Sequence, residues 1–314
     1  MSIRLVYFGT SQFAVPALQK LAERRDLFDV VAVVTQSQKP TGRHRTLADS
    51  PVAATAKQLD IPVLRPQKIR TEEFSSQIKQ LAPDILVVAA YGKILPITVL
   101  EIPRLGAVNL HGSLLPRYRG ASPIQSAILH GETATGVTLM CMDEQLDHGK
   151  IIARVTVPVA FDDTASSLEK KLAFAAADLT IAELPRYIAH PSIAYAQDHT
   201  QATFTRIINR EDGLVDFTTS SANEIERKIR AFTPWPGVYI IWNRQKAPAI
   251  RIKILRVQIV DMAPQAVAGT ITRSAQKNPI VKCAQGSLEL LELQPEGKKS
   301  MSGSAFLNGY GDFF

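Results

Sequence analysis

Thiols are nearly absent from this chain. Its 314 residues include two cysteines, Cys141 and Cys283, far apart and in no C-x-x-C pair. That excludes a disulfide framework and a cysteine-based zinc site, and it suits a reducing, cytoplasmic setting. Long apolar runs are missing too. None approaches the roughly 18 residues of a membrane-spanning helix, so no membrane span is expected. The opening MSIRLVYFGTSQF lacks a basic start, a long apolar core and a small-residue cleavage site. It reads as a first strand and not as a secretion signal.

Two nucleotide signatures are also absent. The first strand is followed by Gly9-Thr10-Ser11-Gln12-Phe13-Ala14 in place of G-x-G-x-x-G, and no G-x-x-x-x-G-K-[S/T] loop occurs. Nothing therefore points to a nicotinamide site or an NTPase. Negative charge is in deficit: 36 Lys and Arg against 29 Asp and Glu leave +7, with a pI of about 9.4. Such a balance suggests a polyanionic partner, nucleic acid included, without establishing one.

What is present has the length for two domains. The first half alternates short apolar strands with helical spacing. Ile3–Phe8, Val30–Val34, Asp84–Ala90, Ala107–Leu110, Gly136–Met142 and Ile151–Val157 read as strands, with helices over Phe13–Glu23 and Ser166–Ala189. The alternation predicts an α/β fold, a Rossmann-like, mostly parallel sheet with helices on both faces. From His190 to about Asn209 a polar stretch suits a linker. Beyond it Ser221 and Glu224 are spaced as a capping box before a helix at Ala222–Phe232. Short strands follow at Val238–Trp242, Ile250–Val260, Gly269–Thr272, Pro279–Lys282 and Ser287–Leu293, the pattern of a small β-barrel. The expected domains are 1–189, a linker at 190–208, and 209–314.

The candidate chemistry lies in Asn109–Gly120, NLHGSLLPRYRG. Residues two apart on a strand face the same side. Asn109 and His111 thus project together at the carboxyl end of a parallel strand, where open α/β sheets place ligands. Two N–H donors aimed at one point can hold an oxyanion formed by attack on a carbonyl; they can equally cap the turn that follows. A carboxylate is needed to set the imidazole's charge and tautomer. Asp147 in Gln145-Leu146-Asp147-His148-Gly149 is the candidate, with Asp143 and Glu144 as rivals and His148 as a surface neighbour. Ser113 beside His111 raises a Ser-His-Asp hydrolase, but no G-x-S-x-G elbow surrounds it.

Asn109–Gly120 together with Leu146–Gly149 resembles the active-site signature of the 10-formyltetrahydrofolate-dependent formyltransferases. Asn109, His111 and Asp147 match that family's catalytic residues position by position. Thr35–Val52 (TQSQKPTGRHRTLADSPV), Arg230–Gly237 (RAFTPWPG) and Leu293–Tyr310 (LQPEGKKSMSGSAFLNGY) resemble the branch of the family that acts on methionyl-tRNA, so the likeness runs over essentially the whole chain. Asp147 is followed by His148 where the family usually has Thr or Ala.

The resemblance implies transfer of the formyl group of 10-formyltetrahydrofolate to the methionine of initiator tRNA. Its turn Ser113-Leu114-Leu115-Pro116 then belongs to the folate site, with Val87–Gly92 lining it. Arg43 and Arg45, in the basic loop Lys39–Arg45, belong to the tRNA contact. The C-terminal domain becomes an OB-like β-barrel that binds tRNA, the enzyme a monomer, and no metal takes part. From residue 209 onward 14 Lys and Arg face 10 Asp and Glu, a basic excess that suits a phosphate-binding platform, with Arg251, Lys253, Lys298 and Lys299 as candidates. The alternatives are a formyltransferase acting on a sugar-nucleotide amine, a hydrolase releasing formate, and a folate- or RNA-binding protein without catalysis.

Overall fold

The computed structural model describes residues 2–41, 46–244, 248–261 and 266–311. The chain divides into two compact units. The first comprises 1–124, 133–159 and 167–206, and the second 125–132, 160–166 and 207–314.

Strands of the first unit are β1 (Ile3–Gly9), β2 (Phe28–Val34), β3 (Lys39–Thr41), β4 (Thr46–Ala48), β5 (Val63–Leu64), β6 (Ile85–Ala89), β7 (Ala107–His111), β8 (Arg119–Gly120), β9 (Ala134–Cys141), β10 (Ile151–Pro158) and β11 (Phe204–Thr205). Helices α1 (Val15–Glu23), α2 (Pro51–Gln58), α3 (Glu72–Gln80), α4 (Ile97–Leu100), α5 (Pro123–Leu129) and α6 (Ala165–Ala189) connect them, the last two crossing between the units. Seven strands form the main sheet in the order β10-β9-β7-β6-β1-β2-β5. From β7 to β5 neighbours run parallel, while β9 and β10 run antiparallel at one edge.

The parallel strands are apolar on both faces because both faces are covered. On β1, Val6 and Phe8 pack with Phe74 and Ile78 of α3 and with Val99 and Leu100 of α4. Phe8 meets Phe74 and Tyr91 edge to face, with ring centroids 6.5 and 5.3 Å apart. The alternate residue Tyr7 faces the other way and donates its hydroxyl to the carbonyl of Ala14, just before α1, at 2.6 Å. The helix expected from Phe13 begins as a 3-10 turn at Gln12–Ala14 and becomes α-helical at Val15, with Pro16 in the first turn, where a missing N–H costs nothing.

Of the helices absent from the sequence reading, α2 and α3 each carry an ordinary N-cap. Ser50 accepts from the N–H of Ala53 and Thr71 from that of Phe74. Their buried sides are short, Phe74, Ser75 and Ile78 in α3, which leaves little periodicity to read.

The second unit holds α7 (Ala222–Ala231), β12 (Val238–Trp242), β13 (Ile250–Val260), β14 (Ile271–Arg273), β15 (Pro279–Lys282), β16 (Ser287–Pro295), β17 (Met301–Ser302) and α8 (Gly303–Gly309). Its antiparallel sheet runs β12-β13-β16-β15-β14, with β17 on β16. Both halves of the capping box at α7 form: Ser221 Oγ accepts from the N–H of Glu224, whose carboxylate accepts from the N–H of Ser221. The strand expected from Gly269 starts at Ile271, because Gly269 turns the chain at a φ of +89°. Among the described residues no helix is long and apolar enough to cross a membrane.

Phe8 is fully buried between α3 and Tyr91. Phe8→Ala is expected to cost about 3–5 kcal/mol of stability, measured as a lowered urea midpoint with an unchanged slope.

Candidate active site

Strand β7 carries the expected pair to the sheet's carboxyl edge. Asn109 lies beside Val88 of β6 and Met140 of β9, and His111 beside Thr138. The two differ in what they touch. Asn109 is half-buried, and its amide takes no hydrogen-bond partner among the described residues. His111 is 6% exposed and engaged at both ring nitrogens. Nε2 lies 2.9 Å from the carbonyl oxygen of Tyr118, which can only accept, so Nε2 carries a proton. Nδ1 faces Oδ1 of Asp147 at 3.5 Å.

Asp147 reaches His111 by an unusual turn. Its φ is +50°, a left-handed conformation that Asp tolerates better than most residues. The other carboxylate oxygen, Oδ2, accepts from the N–H of Gly120 at 2.8 Å. Gly149 serves close approach and not a left-handed turn: a Cβ there would lie 2.1 Å from the carbonyl oxygen of Cys141. Neither rival is paired with His111 among the described residues. Asp143 binds His148 Nδ1 at 2.8 Å and Glu144 is exposed. His148, expected as a surface neighbour, also stacks flat on His199 with centroids 4.1 Å apart.

The Ser113–Pro116 turn is tied down internally. Ser113 Oγ donates to the carbonyl of Arg117 at 2.6 Å. Thr138 of β9 donates to the carbonyl of Ser113 and accepts from the N–H of Leu115, and Arg154 of β10 donates to the carbonyl of Leu115 at 3.0 Å. Ser113 and Leu115 are buried, which leaves Leu114 and Pro116 as the half-exposed side chains of the turn. The Val87–Gly92 segment ends at the same edge. Its Tyr91 carbonyl accepts from Gln36 at 2.8 Å and from Thr10 at 3.0 Å, joining the segments that follow β1, β2 and β6.

Sequence reasoning missed the groups that hold the pair: the Tyr118 carbonyl, the Gly120 N–H, and Gln197, which donates to the carbonyls of Asp147 and Gly149. The first two are backbone atoms and leave no mark in residue types. Gln197 falls in the stretch read as a linker.

Comparison with known proteins decides the family. Residues 1–184 match the family model described as formyl transferase, and residues 207–311 match the one described as formyl transferase, C-terminal domain. The methionyl-tRNA formyltransferase of Myxococcus xanthus is 44% identical over 307 residues, covering 98% of this chain and 95% of that one. That of Geobacter sulfurreducens is 39% identical over 308 residues, covering 98% and 94%. The chain belongs to the methionyl-tRNA formyltransferase family. Its fold also matches the crystal structure of the N-formyltransferase from Helicobacter canadensis, solved with folinic acid and dTDP-3-aminofucose. That likeness has a TM-score of 0.64 at 19% identity, over 92% of this chain and 99% of that one.

For a formyltransferase of this branch the basic loop is of interest. Arg43 and Arg45 lie outside the described residues; the residues flanking their loop are tied together by hydrogen bonds. Asp49 accepts from Gln38 across the base at 2.8 Å, and also from Lys57 at 2.6 Å and Arg65 at 2.7 Å. Thr35 and Ser50 are hydrogen-bonded at 2.7 Å beside it. Elsewhere, Lys253, Lys298 and Lys299 are exposed, while the Arg251 guanidinium lies over the Tyr239 ring, 4.4 Å from its centroid.

The hydrogen bonds from Lys57 and then Gln38, with the positive charge of Arg65, hold the Asp49 carboxyl down to about 2. A carboxyl depressed in the folded state adds stability above its unfolded value of about 4 and loses it as pH falls through the folded one. Asp49→Asn is therefore expected to melt below the parent at neutral pH, and the two melting curves should converge between about pH 4 and about pH 2.

Proposed function

We propose that this protein transfers the formyl group of 10-formyltetrahydrofolate to the α-amino group of methionine esterified to initiator tRNA, giving formylmethionyl-tRNA for translation initiation. The observation that carries the reading is a free amide beside a fixed imidazole and carboxylate: Asn109 without a partner among the described residues, next to His111 held between Tyr118 and Asp147. Near-full-length identity to methionyl-tRNA formyltransferases supports the choice of acceptor.

In this mechanism the methionine amine attacks the formyl carbon, and the carbonyl oxygen becomes an oxyanion. The Asn109 amide donates to it. His111 contributes differently, since its Nε2–H points to the Tyr118 carbonyl and its Nδ1 faces Asp147; in this mechanism both nitrogens carry protons. It acts on the developing charge through the field of its ring. Asp147 balances that ring and takes the proton lost by the amine, directly or through water. As the oxyanion collapses, the bond from carbon to N10 of the folate breaks and N10 takes up a proton, leaving tetrahydrofolate. No step is assigned to a metal.

The half-exposed faces of Leu114 and Pro116, with the Val87–Gly92 segment, suit a flat pterin; Ser113 and Leu115 support the turn from within. Arg43 and Arg45 are assigned to the acceptor end of the tRNA, where guanidinium groups bind phosphate bidentately and stack on bases. The exposed lysines of residues 209–314 are assigned to its phosphates. Catalysis then belongs to residues 1–189, in a monomeric cytoplasmic enzyme.

The test is formyl transfer from 10-formyltetrahydrofolate to methionyl initiator tRNA, to a 4-amino-sugar nucleotide, and with no acceptor. Formylated methionine on the tRNA alone is the expected result; transfer to the sugar, or formate release without acceptor, overturns it. Asn109→Ala removes the free donor from a half-buried position. It should fold normally and lower turnover about a hundred- to a thousand-fold, read by steady-state kinetics alongside a thermal melt.

A further inference from the structure

The stretch 190–206 carries structure that its polar composition conceals. Tyr195 exchanges both backbone hydrogen bonds with Ile151, at 2.8 and 2.9 Å. Further on, Phe204 and Thr205 pair in parallel with Arg119 and Gly120. The segment is thus anchored once beside the Asp147 turn and once beside the strand that follows the Ser113–Pro116 turn.

Gln197 lies between these anchors and is 5% exposed. Its Oε1 accepts from Arg119 Nη2 at 2.6 Å and Nε at 3.2 Å. Those contacts settle which way the amide faces. Its Nε2 then donates to the carbonyl of Asp147 at 2.9 Å and to that of Gly149 at 2.7 Å. Two acceptor and two donor sites are the full capacity of a Gln side chain, and all four are used.

Arg119 is 4% exposed. Beyond Gln197 it donates to His199 Nδ1 at 2.8 Å and lies over the Phe204 ring, 5.9 Å from its centroid. No carboxylate lies within ion-pair distance of it among the described residues. A buried guanidinium without an acid is costly to keep, and its place in the chain suggests what keeps it. Its two neighbours supply the backbone groups that hold the pair: the Tyr118 carbonyl to His111 and the Gly120 N–H to Asp147.

Asp147 is therefore gripped at both ends from one short segment. Gly120 holds its carboxylate, and Arg119 through Gln197 holds its carbonyl. Its left-handed backbone is a conformation that persists where surroundings over-determine it. We propose that Arg119 and Gln197 are positioning residues for formyl transfer, fixing the Asp147 turn so that its carboxylate meets His111. This rests on the reading that Asp147 and His111 serve the reaction.

Gln197→Glu and Gln197→Leu test it. The Glu variant keeps an acceptor for Arg119 and gives it a charge partner, but sets a carboxylate oxygen against two carbonyls. The Leu variant removes all four bonds. Both are expected to stay folded at the assay temperature, the Leu variant melting well below the parent, and to lower kcat about ten-fold or more, with KM for the folate and for methionyl-tRNA within about two-fold. In an Asp147→Ala background the Gln197 substitution should add no further loss beyond about two-fold, because it acts through Asp147. A folded variant with parental kcat overturns the proposal, as does a loss that multiplies undiminished in the Asp147→Ala background. Loss of fold in both variants also overturns it, since Gln197 would then be holding the domain.

Hydrogen exchange supplies a readout independent of turnover. In Gln197→Leu the Gly120 amide should exchange about ten-fold faster while amides within β6 keep parental rates. Unchanged Gly120 exchange, or a uniform rise, overturns the proposal. A parent that formylates no tRNA would refute the functional reading, and the exchange measurement would still decide the clamp.

Discussion

The N–H of Gly120 donating to the Asp147 carboxylate is the contact on which the site's geometry depends. It joins two chain segments that leave the sheet at different places: one after β7, the other between β9 and β10. Apart from this bond, the Asp147 carboxylate meets, among the described residues, only His111 at 3.5 Å. The tie is short because the sheet makes it so. Strand β9 lies antiparallel against β7, with His111 opposite Thr138, and Thr138 reaches over to the Ser113 carbonyl and the Leu115 N–H. One threonine thus sets the height of the turn above the edge. The following residues, Tyr118 to Gly120, come back over His111 as a result.

The parallel part of the sheet explains why polarity gathers where it does. Strand β1 from Leu5 onward and the whole of β6 are buried along both faces, and an unpaired polar side chain there would be expensive. Polar groups can gather only at strand ends, where the chain turns away from the core. The Tyr91 carbonyl, shared by Gln36 and Thr10, knots three such ends together. The edge that holds Asn109 and His111 is for that reason a stiff rim.

Much of this was legible in the sequence because two periodicities are strict. Apolar strands alternating with helices announced the sheet, and the two-residue repeat of a strand put Asn109 and His111 on one face. Asp147 was legible as the candidate acid and as a match to the family's position, but residue types alone left Asp143 and Glu144 as rivals. Choosing among them depends on a backbone angle, since φ of +50° at Asp147 turns its carboxylate inward while Asp143 is taken up by His148. The Tyr118 and Gly120 contacts were illegible in principle, because any residue offers the same carbonyl and N–H. Gln197 was hidden by context: among His, Pro, Ser and Thr a glutamine looks solvated, and only the pairing of Phe204–Thr205 with Arg119–Gly120 carries it inward. Ser113 shows how little a residue type says about where its polar atom goes. Its hydroxyl lies in the motif but is spent on the carbonyl of Arg117.

On the proposed reading, Asn109 and His111 serve the same oxyanion by different physics. A hydrogen bond is steep in distance and angle, so the Asn109 amide must be placed well and must be unspent before the substrate arrives. A charge acts over a longer range, especially where little water intervenes, so the imidazole can assist while its own N–H groups are committed to the protein. Committing them has a use. A ring fixed by Tyr118 on one side and Asp147 on the other cannot rotate away as charge develops, and a dipole that need not reorganise does the most for a transition state. It follows that the demand for precision passes from His111 to its acceptors. The Asp147 turn must hold its place more strictly than the histidine it serves, and the structure accordingly holds that residue at its carboxylate and its carbonyl, with Gly149 packed against the Cys141 carbonyl two residues on.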